Sequence, residues 1–317
     1  MANAMNIFLH IGAHRCATTS FQSYLRQNAT RLTVQGTGFW GPLRTRGKLF
    51  AGVLPSAGDA LRRNRQIRAR GRVQIAISRA AESGLENLIV SDENVLGSVR
   101  ANLRLCGLYD GVGERLARFN AAFDGKITQL ALSVRALDTY WASGLGYSLT
   151  RGCNPPRPGV LTRITDSPRS WRDVITDVAC AVPGARLIVL PHERFAGRPD
   201  AMFSAITGTA APKDLMRQWR NATPLLPELR ALLPKEQAGA LPGGEGRWYP
   251  FDAEQAAILR ERYADDILWL TGGADGLATL AHDPDTPTKT AGPSPQDTYS
   301  TRGRPYDDEE RRLAGTG

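Results

Sequence analysis

The chain has 317 residues, 42% of them hydrophobic, with 40 Lys and Arg against 31 Asp and Glu, a net charge of +9. This is enough apolar material for one large α/β domain or two small ones. No apolar run approaches the ~20 residues of a membrane span, which excludes an integral membrane helix.

Strands and helices alternate along the sequence. The apolar run Ile7–Ile11 predicts a buried strand that stops at Gly12, and the period of Phe21, Tyr24 and Leu25 predicts a helix over Thr19–Gln27. Leu85–Val90 reads as a second strand, ending at Ser91-Asp92-Glu93-Asn94. A helix over Glu114–Phe123 follows, then a strand over Ile127–Val134 closed by Arg135, and a helix over Asp138–Leu149. Trp171–Cys180 reads as a helix stopped by Ala181–Gly184, Arg186–Leu190 as a strand, Asp200–Ile206 as a helix and Asp252–Leu270 as a long amphipathic helix. The rhythm predicts a three-layer α/β/α fold with a mainly parallel sheet. In such sheets ligands sit beyond the carboxyl ends of the strands, and the stretches after Ile11, Val90 and Val134 all lie there.

Two stretches break the rhythm. Gly152–Arg169 holds Pro155, Pro156, Pro158 and Pro168 and reads as an irregular loop. Asp283–Gly317 is polar and rich in Pro, Thr and Gly, and reads as a disordered tail. The expected organisation is one domain over 1–282, with segments 44–85 and 150–170 inserted on its acceptor side, followed by the tail at 283–317.

Cys16, Cys106, Cys153 and Cys180 form no CxxC pair, and His10, His14, His192 and His282 show no ligand spacing, so neither a disulfide frame nor a metal site is expected. With no basic stretch followed by an apolar run at the start of the chain, the expected compartment is the cytoplasm. The positive charge is uneven. Residues 44–72 carry nine basic residues against Asp59 alone, a local charge of +8. Such a surface suits an acidic partner or a solvated Arg-rich helix. Its single aromatic, Phe50, makes a nucleic-acid stacking platform a poor fit.

A strand that becomes a helix across small residues, hydroxyls and one cation is a place to hold an anion. The loop here is Gly12-Ala-His-Arg15-Cys-Ala-Thr18-Thr19-Ser20. Against the nucleotide pattern GxxxxGK[ST], Ala17 stands for the second glycine and Thr18 for the lysine that reaches the β/γ-phosphates. A Mg-ATP site is therefore not expected, although Leu88–Glu93 has the apolar strand and acidic end of a Walker B segment. Gly36-Thr-Gly38-Phe-Trp-Gly41 matches GxGxxG, with Asp59 lying 18 residues beyond, but Pro42 and Arg-rich sequence follow it. It reads as a turn-rich loop.

In this loop the cation precedes the hydroxyls, and the stretch resembles the 5′-phosphosulfate loop of the PAPS-dependent sulfotransferases, whose bacterial members carry His-Ile-Gly-x-x-Lys-x-x-Thr-Thr-Ser-x-Gln. The matching residues are His10, Ile11, Gly12, Arg15, Thr18, Thr19, Ser20 and Gln22. Arg15 departs from the commoner lysine, and the tyrosylprotein branch of the family also uses arginine. Arg135 at a strand end, with Ser143 eight residues on, resembles the family's 3′-phosphate pair. The phrases Leu190–Phe195, Asn221–Thr223, Tyr249–Phe251 and Arg260–Asp266 extend the resemblance over roughly residues 5–271.

The resemblance implies a P-loop-like sulfotransferase fold and in-line transfer of a sulfuryl group from PAPS to an acceptor hydroxyl or amine, without a metal. It implies that Arg15 neutralises the leaving phosphate, that Thr18, Thr19, Ser20 and the backbone of Cys16 and Ala17 hold the 5′-phosphosulfate, and that Arg135 and Ser143 hold the 3′-phosphate. Glu93 is the expected base, with Asp92, His14 and His10 as the other candidates. His10, inside the strand, reads as structural, and Gln22, Trp171 and Glu193 as scaffold. The acceptor class stays open among glycan, lipid, peptide and small molecule. The alternative is a non-catalytic or nucleotide-binding protein of P-loop type whose segment 44–72 docks an acidic polymer or nucleic acid.

Overall fold

The fold is built on a six-stranded, all-parallel sheet in the order β2-β3-β1-β4-β5-β6. The strands are β1 (Asn6–His10), β2 (Thr37–Trp40), β3 (Asn87–Ser91), β4 (Gln129–Val134), β5 (Arg186–Pro191) and β6 (Thr279–Leu280). The computed structural model describes residues 5–55, 62–213 and 222–282. Residues through Ala281 gather into one compact unit, and a second begins at His282, its only described residue. The expected tail at 283–317 lies outside the described residues.

Continuous apolar strands demand cover on both faces. Ile7, Leu9, Leu88, Val90, Leu130, Leu132, Leu187 and Val189 join one core, while Phe8, Ile89, Ala131 and Leu190, alternating with them, join another. The second core is closed by Phe21, Tyr24 and Leu25 of the helix Thr18–Gln27 and by Met202, Phe203 and Ile206 of the helix Pro199–Thr207. The larger core is closed by the helices Arg62–Glu82, Val112–Ala122, Leu137–Leu149, Trp171–Ala181 and Ala253–Thr271. Helices therefore cover both faces of the sheet. None among the described residues is long and apolar enough to cross a membrane.

The expected elements lie within two residues of those observed, with two exceptions. Gly152–Arg169 is not all loop, since Pro158–Asp166 is a helix. Its prolines bracket the helix rather than break it. Pro158 occupies the first turn, where no intrahelical N–H is needed, and Ile164 is buried beneath it. The stretch Gly36–Gly41 is not a turn-rich loop either, since Thr37–Trp40 is the edge strand β2, parallel to β3. At Gly38 a Cβ would lie 2.5 Å from Leu85 Cδ1, so a larger residue would have to displace that side chain. The glycine thus lies against Leu85, which leads into β3.

The chain moves from β1 to one side of the sheet for β2 and β3, then returns to the other side for β4. The strand order thus reverses beside β1, where an open α/β sheet forms its crevice. Because all strands are parallel, the loop after β1, the turn after β3 and Arg135 after β4 share the same end of three adjacent strands.

Candidate anion site at the strand ends

The loop after β1 is pinned to β4 by Ile11 N–H on the Ala131 carbonyl (2.9 Å) and Ala13 N–H on the Ser133 carbonyl (3.0 Å). It then turns through two left-handed residues that are not glycine, Arg15 (φ 67) and Ala17 (φ 60). Such backbone costs of order 1–3 kcal/mol per residue and persists where the surroundings over-determine it, often at binding sites. Gly12 is fixed by space, since a Cβ would lie 2.7 Å from His10 Nε2 and 2.8 Å from Thr18 Oγ1. The helix Thr18–Gln27 starts from Ala17, whose side chain makes no capping bond, and its first turn holds no acid. The positive end of that helix is therefore not offset by a local carboxylate.

Arg15 and Arg135 come from different strands and meet. Arg135 Nη1 donates to the Arg15 carbonyl (3.0 Å), and Arg135 Nε to Thr139 Oγ1 (3.0 Å). The Arg15 guanidinium donates through Nε to Ser143 Oγ (3.0 Å) and through Nη2 to Thr223 Oγ1 (2.9 Å), and those two hydroxyls lie 2.9 Å apart. Its Cζ also lies 4.9 Å from the centre of the Tyr147 ring, within cation–π range. Burial, reinforced by Arg135 and then by Arg247, lowers the Arg15 pKa to about 10. Cations crowded in this way destabilise one another until an anion joins them.

His192 follows β5 as Arg135 follows β4, and the register Val134↔Pro191 sets the two residues level on neighbouring strands. Burial first, then Arg135, Arg247 and Arg15, hold its pKa well below the usual histidine range. Its Nδ1 is buried with no hydrogen-bond partner among the described residues. An unmet buried nitrogen costs roughly 1–3 kcal/mol. Cys16 is buried in the same loop, and burial pushes its thiol up, so its backbone rather than its sulfur is suited to a ligand.

The residues read as scaffold brace this arrangement. The Trp171 indole donates to the Arg135 carbonyl (2.7 Å), and Glu193 accepts the Ala136 N–H (2.8 Å) and the Tyr263 hydroxyl (2.7 Å). Trp171 is held in turn by Asp266, which accepts its N–H (3.0 Å) and the Ser170 hydroxyl (2.6 Å). Gln22 Nε2 donates to Glu93 Oε2 (3.0 Å) and to the Ser91 carbonyl (3.3 Å).

On the other side of β1, Asp92 and Glu93 form the turn after β3. Asp92 is locked, with Oδ2 accepting the Thr45 hydroxyl (2.5 Å) and Oδ1 accepting Arg46 Nε (3.0 Å), Arg46 Nη2 (2.7 Å) and the Asn94 N–H (3.0 Å). It caps the turn Glu93–Val95 and pairs with an arginine. Glu93 is half-buried and also meets Arg46 Nη2 (2.8 Å). Burial pushes its carboxyl up, but the hydrogen bond and charge of Arg46, with help from Gln22, outweigh this and leave the pKa below its usual value. His10 is wholly buried, bonded to Ser91 Oγ (2.8 Å), and lowered by burial to about 4, a structural histidine as expected.

The basic segment is partly spent inside the protein. Arg44 stacks on Trp40, Arg46 pairs with Asp92 and Glu93, Arg70 pairs with Asp124, and Arg72 bonds the Ala51 carbonyl. Reasoning from the sequence missed Arg46, Thr223, Tyr147 and Arg247. Only Thr223 had a signal, as the end of the phrase Asn221–Thr223.

Two concavities lie off this site. One of about 440 Å³ is lined by Val53, Ile67, Arg70 and Ala121, and one of about 280 Å³ by Asp138, Phe251 and Arg260. Neither contains Arg15, Arg135 or Glu93, and their lining gathers no convergent set of hydroxyls and cations, so the chemistry points to the strand ends. Among the described residues no cluster of His, Cys, Asp and Glu could hold a metal ion. No family model, curated protein or solved structure matches the chain.

Proposed function

We propose that the chain is a PAPS-dependent sulfotransferase of P-loop-like fold, moving a sulfuryl group to an acceptor hydroxyl or amine. The observation that carries the reading is the convergence of the two anion elements, since Arg15 bonds Ser143 while Arg135 bonds the backbone of Arg15. A strand-end loop with one cation could serve any phosphate. Two cationic elements from β1 and β4, knit by hydroxyls, suit a ligand with phosphates at both ends of a ribose. The unmet His192 nitrogen and the lowered Arg15 pKa also fit a polar, anionic occupant.

PAPS supplies the activated sulfuryl group. Thr18, Thr19, Ser20 and the backbone of Cys16 and Ala17 would hold the 5′-phosphosulfate, and Arg135 and Ser143 the 3′-phosphate. Arg15 would neutralise charge on the leaving phosphate oxygen, the kind of electrostatic stabilisation on which such transfers depend. Its planar fork donates to oxygens in fixed directions, unlike the ammonium of a lysine. Glu93 would take the acceptor proton. For that, Arg46 must loosen its hold on Oε1 as the acceptor enters, because a carboxylate held by a guanidinium is a weak base.

The reading is tested by transfer of labelled sulfate from PAPS into a lysate, with the product identified by mass. Glu93→Gln should bind PAP, the desulfated nucleotide, as the parent does, and lose turnover. Full turnover in this variant would move the base elsewhere. Binding of Mg-ATP without PAP would remove the sulfotransferase reading.

A further inference from the structure

His14 sits in the loop after β1, and its ring stacks on Tyr109 with centroids 5.9 Å apart. The protons of this cluster can be counted from fixed ends, because a backbone N–H is always a donor. The Tyr109 N–H donates to Asn102 Oδ1 (3.2 Å), so the other arm of that amide, Nδ2, is the donor to the Tyr140 hydroxyl oxygen (2.9 Å). Tyr140 then donates its own proton to the Tyr109 oxygen (3.1 Å). The same oxygen accepts the His14 backbone N–H (2.9 Å). Both lone pairs of the Tyr109 phenol are thereby used. Its O–H is left to donate to His14 Nδ1 (2.9 Å), which makes Nδ1 the acceptor. The ring proton of neutral His14 then lies on Nε2, 3.2 Å from Asn94 Oδ1.

We propose that this one-way chain of donors locks His14 as the neutral Nε2–H tautomer and makes it a positioning residue, tying the anion loop after β1 to the turn that carries Glu93. His14 is thus a hydrogen-bond donor there and not the proton acceptor. The alternative tautomer would put three donors on one phenol oxygen and leave the Tyr109 proton without a partner. Asn94 is the residue after Glu93, and its N–H is held by Asp92, so the His14 bond is a second hold on the turn. Tyr109 and Tyr140 are both buried, and burial raises both phenols, so the chain keeps its protons at neutral pH. For His14 itself, burial and the charge of Arg46 lower the pKa against the pull of Glu93, Asn94 and Asp92. Tyr109 holds its ring in place from a left-handed backbone (φ 48), a conformation a bulky residue adopts only under constraint. The tautomer stands without the transferase reading. The purpose given to it, holding the Glu93 turn, rests on that reading.

The test is the nitrogen spectrum of the full chain labelled at its four histidines, with His14 assigned from a His14→Gln variant. The expected pattern for His14 is Nδ1 in the range of an unprotonated, hydrogen-bonded ring nitrogen and Nε2 in that of a protonated one, unchanged through neutral pH. A protonated Nδ1, or a doubly protonated ring at neutral pH, would overturn the proposal. Asn94→Ala removes the Nε2 partner at an exposed position, and the tautomer should survive it. Loss of the tautomer there would assign it to Asn94 instead. Tyr109→Phe should give a mixture of tautomers, and an unmixed Nε2–H signal would refute the chain of donors. If Tyr109→Phe fails to fold, the parent and Asn94→Ala spectra still decide. Since none of these readouts uses nucleotide or turnover, they separate from any failure of the transferase reading. The purpose has its own readout. His14→Ala should lower kcat more than PAP affinity, and an unchanged kcat would remove the positioning role.

Discussion

Arg46 is the residue on which the acidic turn depends, and Arg46→Ala isolates that dependence. Asp92 is 3% exposed, and both Arg46 donors reach its Oδ1, at 3.0 and 2.7 Å. Removing one partner of a fully buried pair costs about 3–5 kcal/mol, whereas an exposed pair is worth about 0–1 kcal/mol. The Arg46 side chain is 40% exposed, so water screens its end of the pair. Asp92 also keeps the Thr45 hydroxyl and the Asn94 N–H. The expected loss is therefore about 2 kcal/mol, measured as a lower unfolding free energy in urea with an unchanged slope. The same variant should move Glu93. With Arg46 gone, burial is the largest influence left, and the carboxyl pKa should rise above its usual value. In the parent, Glu93 titrates below its unfolded value, so its contribution to stability is full at neutral pH and is lost as the pH falls below about 4. In Arg46→Ala the sign should reverse: with the folded value above the unfolded one, Glu93 should favour folding as the pH falls and cost stability as the pH rises through its folded pKa. A stability change under about 0.5 kcal/mol, the range of ordinary surface substitutions, together with an unmoved Glu93 titration by carbon NMR, would refute the reasoning.

Gly12→Ala should destabilise the chain by about 1–3 kcal/mol through overpacking against His10 and Thr18. It should also weaken PAP binding, and a parent-like melting curve would show that the loop yields. His10 links stability to pH. Its folded pKa near 4 lies below the usual histidine value of 6.5, so the unfolded state binds the proton first as the pH falls. Stability should drop by about 1.4 kcal/mol per pH unit from this group between pH 6.5 and about 4, and be unaffected by it at higher pH. His10→Gln should flatten the urea-determined profile in that window, and an unchanged slope would remove the assignment.

The sheet was legible because parallel strands buried on both faces are apolar on both, as Leu88-Ile-Val90 and Leu130-Ala-Leu132 are. The strand β2 was not, because Thr37-Gly38-Phe39-Trp40 is short and its glycine lies against Leu85, a packing contact that has no local sequence signal. The helix Pro158–Asp166 was hidden by prolines that stand at its start and beyond its end. In the site, Arg15, Arg135 and Ser143 could be read from order and spacing. Arg46 could not, because its partners Asp92 and Glu93 lie 46 and 47 residues away and only the packing of β2 beside β3 brings them together. The donor chain behind His14 was equally out of reach, since it joins residues from four separate segments.

Under the proposed function, Arg15, Arg135 and their hydroxyls form one site for a 3′,5′-bisphosphorylated nucleotide. Calorimetry of the full chain with PAP, beside its Arg135→Ala variant, tests this most directly. Arg135 would give a charge-assisted bond worth about 1.5–3 kcal/mol. The parent should bind PAP without Mg²⁺, and the variant should bind it roughly ten- to a hundred-fold more weakly. No PAP binding by the parent, or equal affinity in the variant, would contradict it.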